Sequence, residues 1–381
     1  MNYSIRTCVV ILFITMTFPV IGENKKTSIQ IIDLTKLPKN DQQIKMSSFA
    51  SEIRYISLES NDNIIIEGGP KFFVYDSLIV VRAHRQIMVF DAKEGRFIRK
   101  IGDFGHGPNE FMNSHNSYLK DGKIIISALG WDFEYIEYTI DGKIVNKIKT
   151  FNHPREIAWL TDELYAFSYI KQSNSDSVLL QVYDSKGLKV KTTFKDDRKF
   201  KNTNRFTYYG ANFHRYNNQL FTKDCFNDTV FRITERKMIP VFVFNSGRFS
   251  PPYNEKEVLD FTEYHYISEI IESDNYLFFV LQFKKLSYFC YYDKRVRRVF
   301  VLSGLQAENV GYENDIDGFV PFRPQTLNEN NELVGYVYPY QIKKWFDENP
   351  DKAAKLSPEL KKLRTINDND NPVLMLVKLK E

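Results

Sequence analysis

The sequence predicts an all-β chain closed as a six-bladed β-propeller with a short helical insertion in the last blade. Three observations carry that reading. Aromatic residues make up 15% of the chain, with 31 Phe and 23 Tyr, and flat rings suit a pleated, half-buried surface. Short runs of β-branched and aromatic residues are broken throughout by polar turns, the pattern of strands rather than helices. A unit of polar turn, apolar strand, second strand closing on an aromatic and Asp, and third strand recurs at spacings of 40–57 residues, which is the length of one propeller blade.

The first 22 residues form a separate segment. Met1–Thr7 carries Arg6, Cys8–Ile21 is apolar, and Gly22 is followed by Glu23, Asn24, Lys25 and Lys26. This layout is that of a secretory signal peptide cut between Gly22 and Glu23. The apolar run is shorter than the roughly 20 residues that span a bilayer as a helix. An uncleaved anchor is the competing reading. A lipid-anchoring Cys stands at the cut site, whereas Cys8 stands at the start of the run, which speaks against a lipid anchor. The expectation is an exported protein, periplasmic or extracellular, with one propeller domain over residues 23–381 and no transmembrane segment in the mature chain.

The cleanest repeat runs Asp76-Ser77-Leu78-Ile79-Val80-Val81, Ile87-Met88-Val89-Phe90-Asp91, then Gly95 and Phe97–Ile101. Its equivalents begin at Asp121-Gly122, Asp162-Glu163, Asn218-Gln219, Asn275-Tyr276 and Asn331-Glu332, with marker residues Leu78, Ile124, Leu164, Leu220, Leu277 and Leu333. A solenoid or sandwich is the alternative, but the chain shows no capping segments and its ends suit closure. Glu52–Leu58 reads as a strand before the first repeat, and Pro372–Leu379 as a strand after the last. Bringing both to the sixth blade supplies its missing outer strands and removes free sheet edges. Between them, Tyr340–Glu348 and Ser357–Ile366 read as helices inserted in the sixth blade. Ser357 is a suitable N-cap, and Pro358 fits the first helical position.

Gly102-Asp103-Phe104-Gly105-His106-Gly107-Pro108-Asn109-Glu110-Phe111 resembles the G-x-G-P-x-E-F turn that follows the last strand of a blade in NHL/TolB-like propellers. Asp368–Leu374, Ile29–Leu34 and Ile53–Glu59 are similar to the corresponding stretches of exported six-bladed propellers of Bacteroidota. The resemblance implies the fold over nearly all of the mature chain. Many such relatives carry a lipoprotein Cys, and this chain departs from them there.

Composition excludes some chemistry. Fifty-two Lys and Arg balance 48 Asp and Glu, for a formal charge of +4, and they are interleaved, so nucleic acid is not an expected partner. Cys225 and Cys290 are the cysteines of the mature chain; buried free thiols and a bridge between them both stay open. The six His residues show no metal-ligand spacing, so no cofactor is predicted, while an axial calcium held by residues from different blades stays open. No nucleophile elbow, phosphate loop or dinucleotide fingerprint is present. Asp91, Asp141, Asp184 and Asp293 recur at one place in the repeat and read as turn devices. Trp131, Trp159, Trp345 and Tyr208-Tyr209 invite a sugar-stacking role, with core packing between blades as the alternative.

The Gly105–Phe111 turn is the strongest local motif. It reads either as a blade connector or as a ligand loop in which His106, Asn109 and Glu110 make the polar contacts. The functional expectation is a binding module for a protein or glycan of the bacterial cell envelope. The alternative is a metal-dependent, lactonase-like hydrolase with an axial site. Fold alone does not choose between them; carboxylates or amides converging from three blades would favour the enzyme. Oligomeric state is not legible.

Overall fold

The computed structural model describes residues 29–36, 44–107, 109–112, 118–128, 134–150, 154–169, 178–195, 211–224, 227–251, 261–302 and 311–381. Six sheets stand in a ring, and in each the strands follow one another outward from the axis. Blade 1 is Lys71–Tyr75, Leu78–Ala83, Gln86–Asp91 and Phe97–Lys100. Blade 2 is Tyr118–Lys120, Lys123–Ala128, Glu134–Thr139 and Ile144–Lys149. Blade 3 is Pro154–Trp159, Leu164–Tyr169, Val178–Asp184 and Val190–Lys195. Blade 4 is Ala211–Tyr216, Gln219–Asp224, Thr229–Ile233 and Met238–Asn245. Blade 5 is Tyr266–Glu272, Tyr276–Phe283, Leu286–Asp293 and Arg298–Leu302.

Turn chemistry sets the hairpins. Asp121-Gly122 (φ 49° and 68°) and Asn217-Asn218 (φ 47° and 56°) hold positive φ at both turn positions, the geometry whose twist matches antiparallel strands. The recurring Asp residues work as turn devices, as expected. Asp91 accepts the backbone N–H groups of Lys93, Glu94 and Arg96 at 3.1, 2.7 and 2.8 Å. Asp184 accepts that of Gly187 at 2.6 Å, Asp293 that of Arg295 at 2.9 Å, and the Asp141 carboxylate the Thr139 hydroxyl.

The hairpin register corrects two of the six markers. Tyr75 pairs with Leu78 and Lys120 with Lys123 across equivalent two-residue turns, so Ile124 corresponds to Ile79. By the same pairing Leu164 is one residue early, and its equivalent is Tyr165. Ile79, Ile124, Tyr165, Leu220, Leu277 and Leu333 are all buried, whereas Leu78 and Leu164 are half-buried. A slip of one residue turns a strand side chain to the other face.

Both chain ends close the ring. Blade 6 is Thr326–Leu327, Glu332–Val337 and Val373–Leu379, completed on its outside by Ala50–Ser57 in antiparallel register from Ser57↔Val373 to Ala50↔Leu379. Asn371 fastens this seam. Its Nδ2 donates to the Glu59 and Ile64 carbonyls at 2.7 and 2.8 Å, and its Oδ1 accepts the Ile66 N–H at 2.7 Å. Phe49, fully buried, enters a cage of Tyr276, Phe278, Tyr291 and Tyr312 with ring centroids 5.0–6.5 Å away. One element lies beyond the repeat: Gln30–Asp33 runs parallel to Met238–Asn245 as a fifth strand on blade 4.

Apolar side chains fill the wedges between blades. Val80, Phe111, Ile126 and Tyr138 pack between blades 1 and 2, and Phe90, Val334 and Leu374 between blades 1 and 6. Each such burial is worth about 1.5–3 kcal/mol. The insertion leaves blade 6 between Val337 and Val373. It contains helices Pro339–Glu348, Pro350–Ala353 and Pro358–Lys362 and a 3-10 turn at Leu363–Thr365. The second expected helix is thus split, with Ser357 capping it by accepting the Leu360 N–H at 3.3 Å. Ile342, Phe346 and Leu360 pack against Phe319 and Val373.

Trp159 and Trp345 are core residues, while Trp131, Tyr208 and Tyr209 lie outside the described residues. Cys290 is a buried free thiol whose ionisation burial opposes; Cys225 lies outside the described residues, as do residues 1–28 with their expected signal peptide. Among the described residues no helix is long and apolar enough to cross a membrane.

His265 carries an acid sensitivity. It is buried, sandwiched with Phe249 and Phe283 at 5.0 and 4.7 Å, and neither ring nitrogen has a hydrogen-bond partner. Burial lowers its pKa to about 4. The unfolded chain therefore binds the proton first, so stability is lost as pH falls from about 6.5 towards 4. His265→Phe is expected to remove about 2–3 kcal/mol of that pH dependence. Denaturation midpoints at pH 7 and 4.5 check it; parallel pH curves for both proteins refute it.

Candidate functional site

In a blade whose strands alternate in direction, the first strand begins where the second ends. At that end of the ring lies an axial cavity of about 1530 Å³. The insertion, which joins a second strand to a third, sits at the same end and contributes Tyr340, Trp345 and Lys352 to the lining. The cavity therefore has strand residues for walls and helices at one side of its mouth.

Lys71 and Tyr118 open the inner strands of blades 1 and 2, Glu156 is the third residue of that of blade 3, and Arg82 and Lys223 stand behind the first strands, opposite Lys71 and Asn212. Tyr118 donates to Glu156 Oε2 at 2.5 Å, and the Phe213 N–H donates to the same oxygen at 2.9 Å. One carboxylate thereby joins blades 2, 3 and 4. Burial raises the Glu156 pKa, and these two hydrogen bonds oppose the rise. Burial, reinforced by the Glu156 charge, raises that of Tyr118. Burial lowers that of Lys71, whose Nζ lies 5.9 Å from the Tyr118 ring centre. On blade 5 the inner strand bulges between Ser268 and Ile271, and Glu269 takes φ 52° there. Such a backbone costs of order 1–3 kcal/mol and recurs at functional sites. The bulge places the Glu269 carboxylate 3.3 Å from Arg323, on the approach to blade 6.

The rim is aromatic. Tyr336 meets Tyr338 edge-on at 5.1 Å, Tyr338 stacks on Tyr340 at 5.6 Å and 19°, and Tyr340 is 46% exposed. Tyr338 also donates to the Gly68 carbonyl at 3.3 Å, tying the insertion to the entry of blade 1. Glu156 and Glu269 are the carboxylates of the inner strands in this lining, on blades 3 and 5, and both are engaged as described. Among the described residues, no three His, Cys, Asp or Glu come together as a metal-binding group.

The Gly105–Phe111 loop joins blade 1 to blade 2 at this same end of the ring, but His106, Asn109 and Glu110 are not among the cavity-lining residues. His106 and Asn109 are exposed and Glu110 is half-buried. Glu110 Oε2 accepts the Gly107 N–H at 2.7 Å, the Asn109 carbonyl accepts the Tyr138 hydroxyl at 2.9 Å, and Phe111 is fully buried. Pro108 lies outside the described residues. Glu110→Ala is expected to lose about 1 kcal/mol, the worth of one hydrogen bond to a charged group in a half-exposed turn, and His106→Ala less than about 0.5 kcal/mol. Urea denaturation separates the two; equal losses would contradict the turn geometry.

The cavity residues escaped sequence reading because they meet only through ring closure. One signal was present: Lys71, Arg155-Glu156 and Arg323 each put charge beside an apolar strand or its approach, ahead of the markers Leu78, Leu164 and Leu333.

These features define a six-bladed β-propeller with a polar axial cavity roofed on one side by helices. Residues 29–378 match the domain of unknown function DUF4934, and the chain belongs to that family. A Bacteroides fragilis protein described as a candidate exported protein is similar over 92% of this chain and 100% of its own, at 16% identity and a TM-score of 0.70; that likeness supports the fold. Virginiamycin B lyase from Staphylococcus aureus aligns over 75% of this chain and 80% of its own, at 12% identity and a TM-score of 0.38. The computationally designed Ika8 protein aligns over 74% of this chain and 71% of its own, at 12% identity and 0.35. Scores that low carry no functional argument. No curated protein matches the sequence.

Proposed function

We propose that this protein is a binding module of the bacterial cell envelope that takes part of a protein or glycan into the axial cavity from the insertion side. The observation that carries the reading is a 1530 Å³ cavity walled by polar side chains from several blades and rimmed by the Tyr336–Tyr338–Tyr340 series. A hydrolase with an axial metal would need converging carboxylates, and the two on the inner strands are apart and already bonded. Export fits the leader-like residues 1–22 and the candidate exported relative, and we place the mature chain in the periplasm or outside the cell. The NHL/TolB-like turn at Gly105–Phe111 belongs to the same reading, as a blade connector.

Gly69→Trp tests it. Gly69 lines the cavity, its φ is not in the left-handed region, and a Cβ there meets nothing within 4 Å. The variant should fold as the parent does and fill the entrance. A thermal-shift screen against envelope glycans and peptides, with binding raising the melting temperature by mass action, should find a ligand that stabilises the parent and not Gly69→Trp. A ligand that stabilises both equally places binding elsewhere.

A further inference from the structure

We propose that the cavity is built for an acidic saccharide, a sugar chain bearing carboxylate or sulfate groups, with its anion among the cations around Tyr118 and its sugar faces against Tyr338 and Tyr340. The inference rests on the binding reading above and names the ligand class for the same cavity.

Three observations converge. First, seven Lys and Arg side chains and four Glu line the cavity. Lys71, Arg82, Arg155 and Arg215 lie within electrostatic range of Tyr118 or against its ring. Lys71 and Arg155 also act on Glu156, whose Oε2 already takes the Tyr118 hydroxyl and the Phe213 N–H. Secondly, these charges are held at a cost. Burial lowers the pKa of the lining residues Lys71 and Arg82, and of Arg215, which is outside the lining but within electrostatic range of Tyr118 and has both terminal nitrogens buried with no hydrogen-bond partner. An anion would offset that desolvation, which a neutral ligand cannot do. Thirdly, the rim offers rings rather than charges. Tyr338 and Tyr340 lie nearly parallel, with Tyr340 46% exposed, and an aromatic face accepts the flat apolar side of a sugar while its hydroxyl bonds at the edge.

Position orders the two zones. Tyr118 stands two residues further along its inner strand than Lys71 and Glu156 do along theirs, counted from the hairpin turn, roughly 7 Å deeper at strand rise. Tyr338 bonds the Gly68 carbonyl, three residues before Lys71 opens its strand, so a ligand must carry its charge inward and its rings at the mouth. Pockets for drug-sized ligands hold about 300–1,000 Å³, so 1530 Å³ admits more than one sugar ring. An acidic peptide would satisfy the cations but leave the stacked tyrosines without use.

The test uses the full mature chain and titration calorimetry. The probes are an oligogalacturonate, a sulfated dextran oligosaccharide, the carboxyl-reduced oligogalacturonate and oligoglutamate. At least one acidic saccharide should bind, and affinity should fall tenfold or more for the reduced sugar and decline with salt. Lys71→Met and, separately, Arg155→Gln should each weaken binding tenfold or more, Lys71→Met at a melting temperature no lower than the parent's, and Tyr340→Ala several-fold. If one of the two cation variants misfolds, the other and the salt series on the parent still decide. Equal binding of the reduced sugar, binding of neither acidic saccharide, or tighter binding of oligoglutamate overturns the inference. Gly69→Trp separates the two failures. If a neutral glycan binds the parent but not this variant, the cavity stands and its anionic character falls. If an acidic saccharide binds both equally, the cavity itself falls.

Discussion

Asn371→Ala should cost about 3–5 kcal/mol of folding stability, because it strands two buried backbone groups and one partly buried one at once. The Glu59 and Ile64 carbonyls lose their donors and the Ile66 N–H loses its acceptor, at a residue only 2% exposed. Each stranded group costs about 1–3 kcal/mol, with water recovering some of it. That loss is a large share of the 5–15 kcal/mol that holds a typical domain together. Guanidinium denaturation measures it. Asn371→Asp keeps the acceptor but turns a carboxylate towards two carbonyl oxygens, so at neutral pH it should be no more stable than the alanine variant and should recover in acid. A loss below about 1 kcal/mol for Asn371→Ala would show that the seam does not depend on this side chain.

Phe49→Ala should cost a similar amount, about 3–5 kcal/mol, by emptying a cage that the ring fills completely. Phe49 touches Tyr276, Phe278 and Tyr291 of blade 5 and Tyr312 on the approach to blade 6, all edge-to-face. These rings are held by their own strands and cannot collapse inward, so the hole should persist. Phe49→Leu keeps most of the volume and should lose less than half as much. The residue directly precedes the strand that completes blade 6, so the alanine variant should also expose that strand to protease earlier in a denaturant series. Equal protease resistance in parent and variant would mean that the strand is held by its sheet partners alone.

Much of this ring was legible because its repeat is written in local chemistry. The Asp that ends the third strand of blades 1, 3 and 5 folds back on its own turn, so the residues that mark it are neighbours in sequence. Closure was legible for a different reason: the sixth repeat lacked an outer strand and the leading segment had one to give. The register of Leu78 and Leu164 was not, because each is followed by a second apolar residue, Ile79 or Tyr165, and one residue decides which face is buried. The parallel strand Gln30–Asp33 on blade 4 left no mark either, since nothing near residue 242 indicates which distant segment will join its edge. The cavity was least legible of all. Lys71, Tyr118, Glu156, Glu269 and Arg323 are separated by tens of residues and become one site only when six blades share an axis. The turn with the most distinctive sequence, Gly105–Phe111, is bonded largely to itself and to the wedge beside it.

The fifth strand on blade 4 also gives the ring a direction. Gln30–Asp33 runs with Met238–Asn245, an outermost strand that ends at the insertion side, so the chain comes into Gln30 from the opposite side. An attachment made through the residues before Ile29, whether to a membrane, a wall polymer or a fused domain, would therefore hold the molecule by its back. The open mouth would face outward, and the disc would present its cavity to whatever lies beyond the surface that carries it.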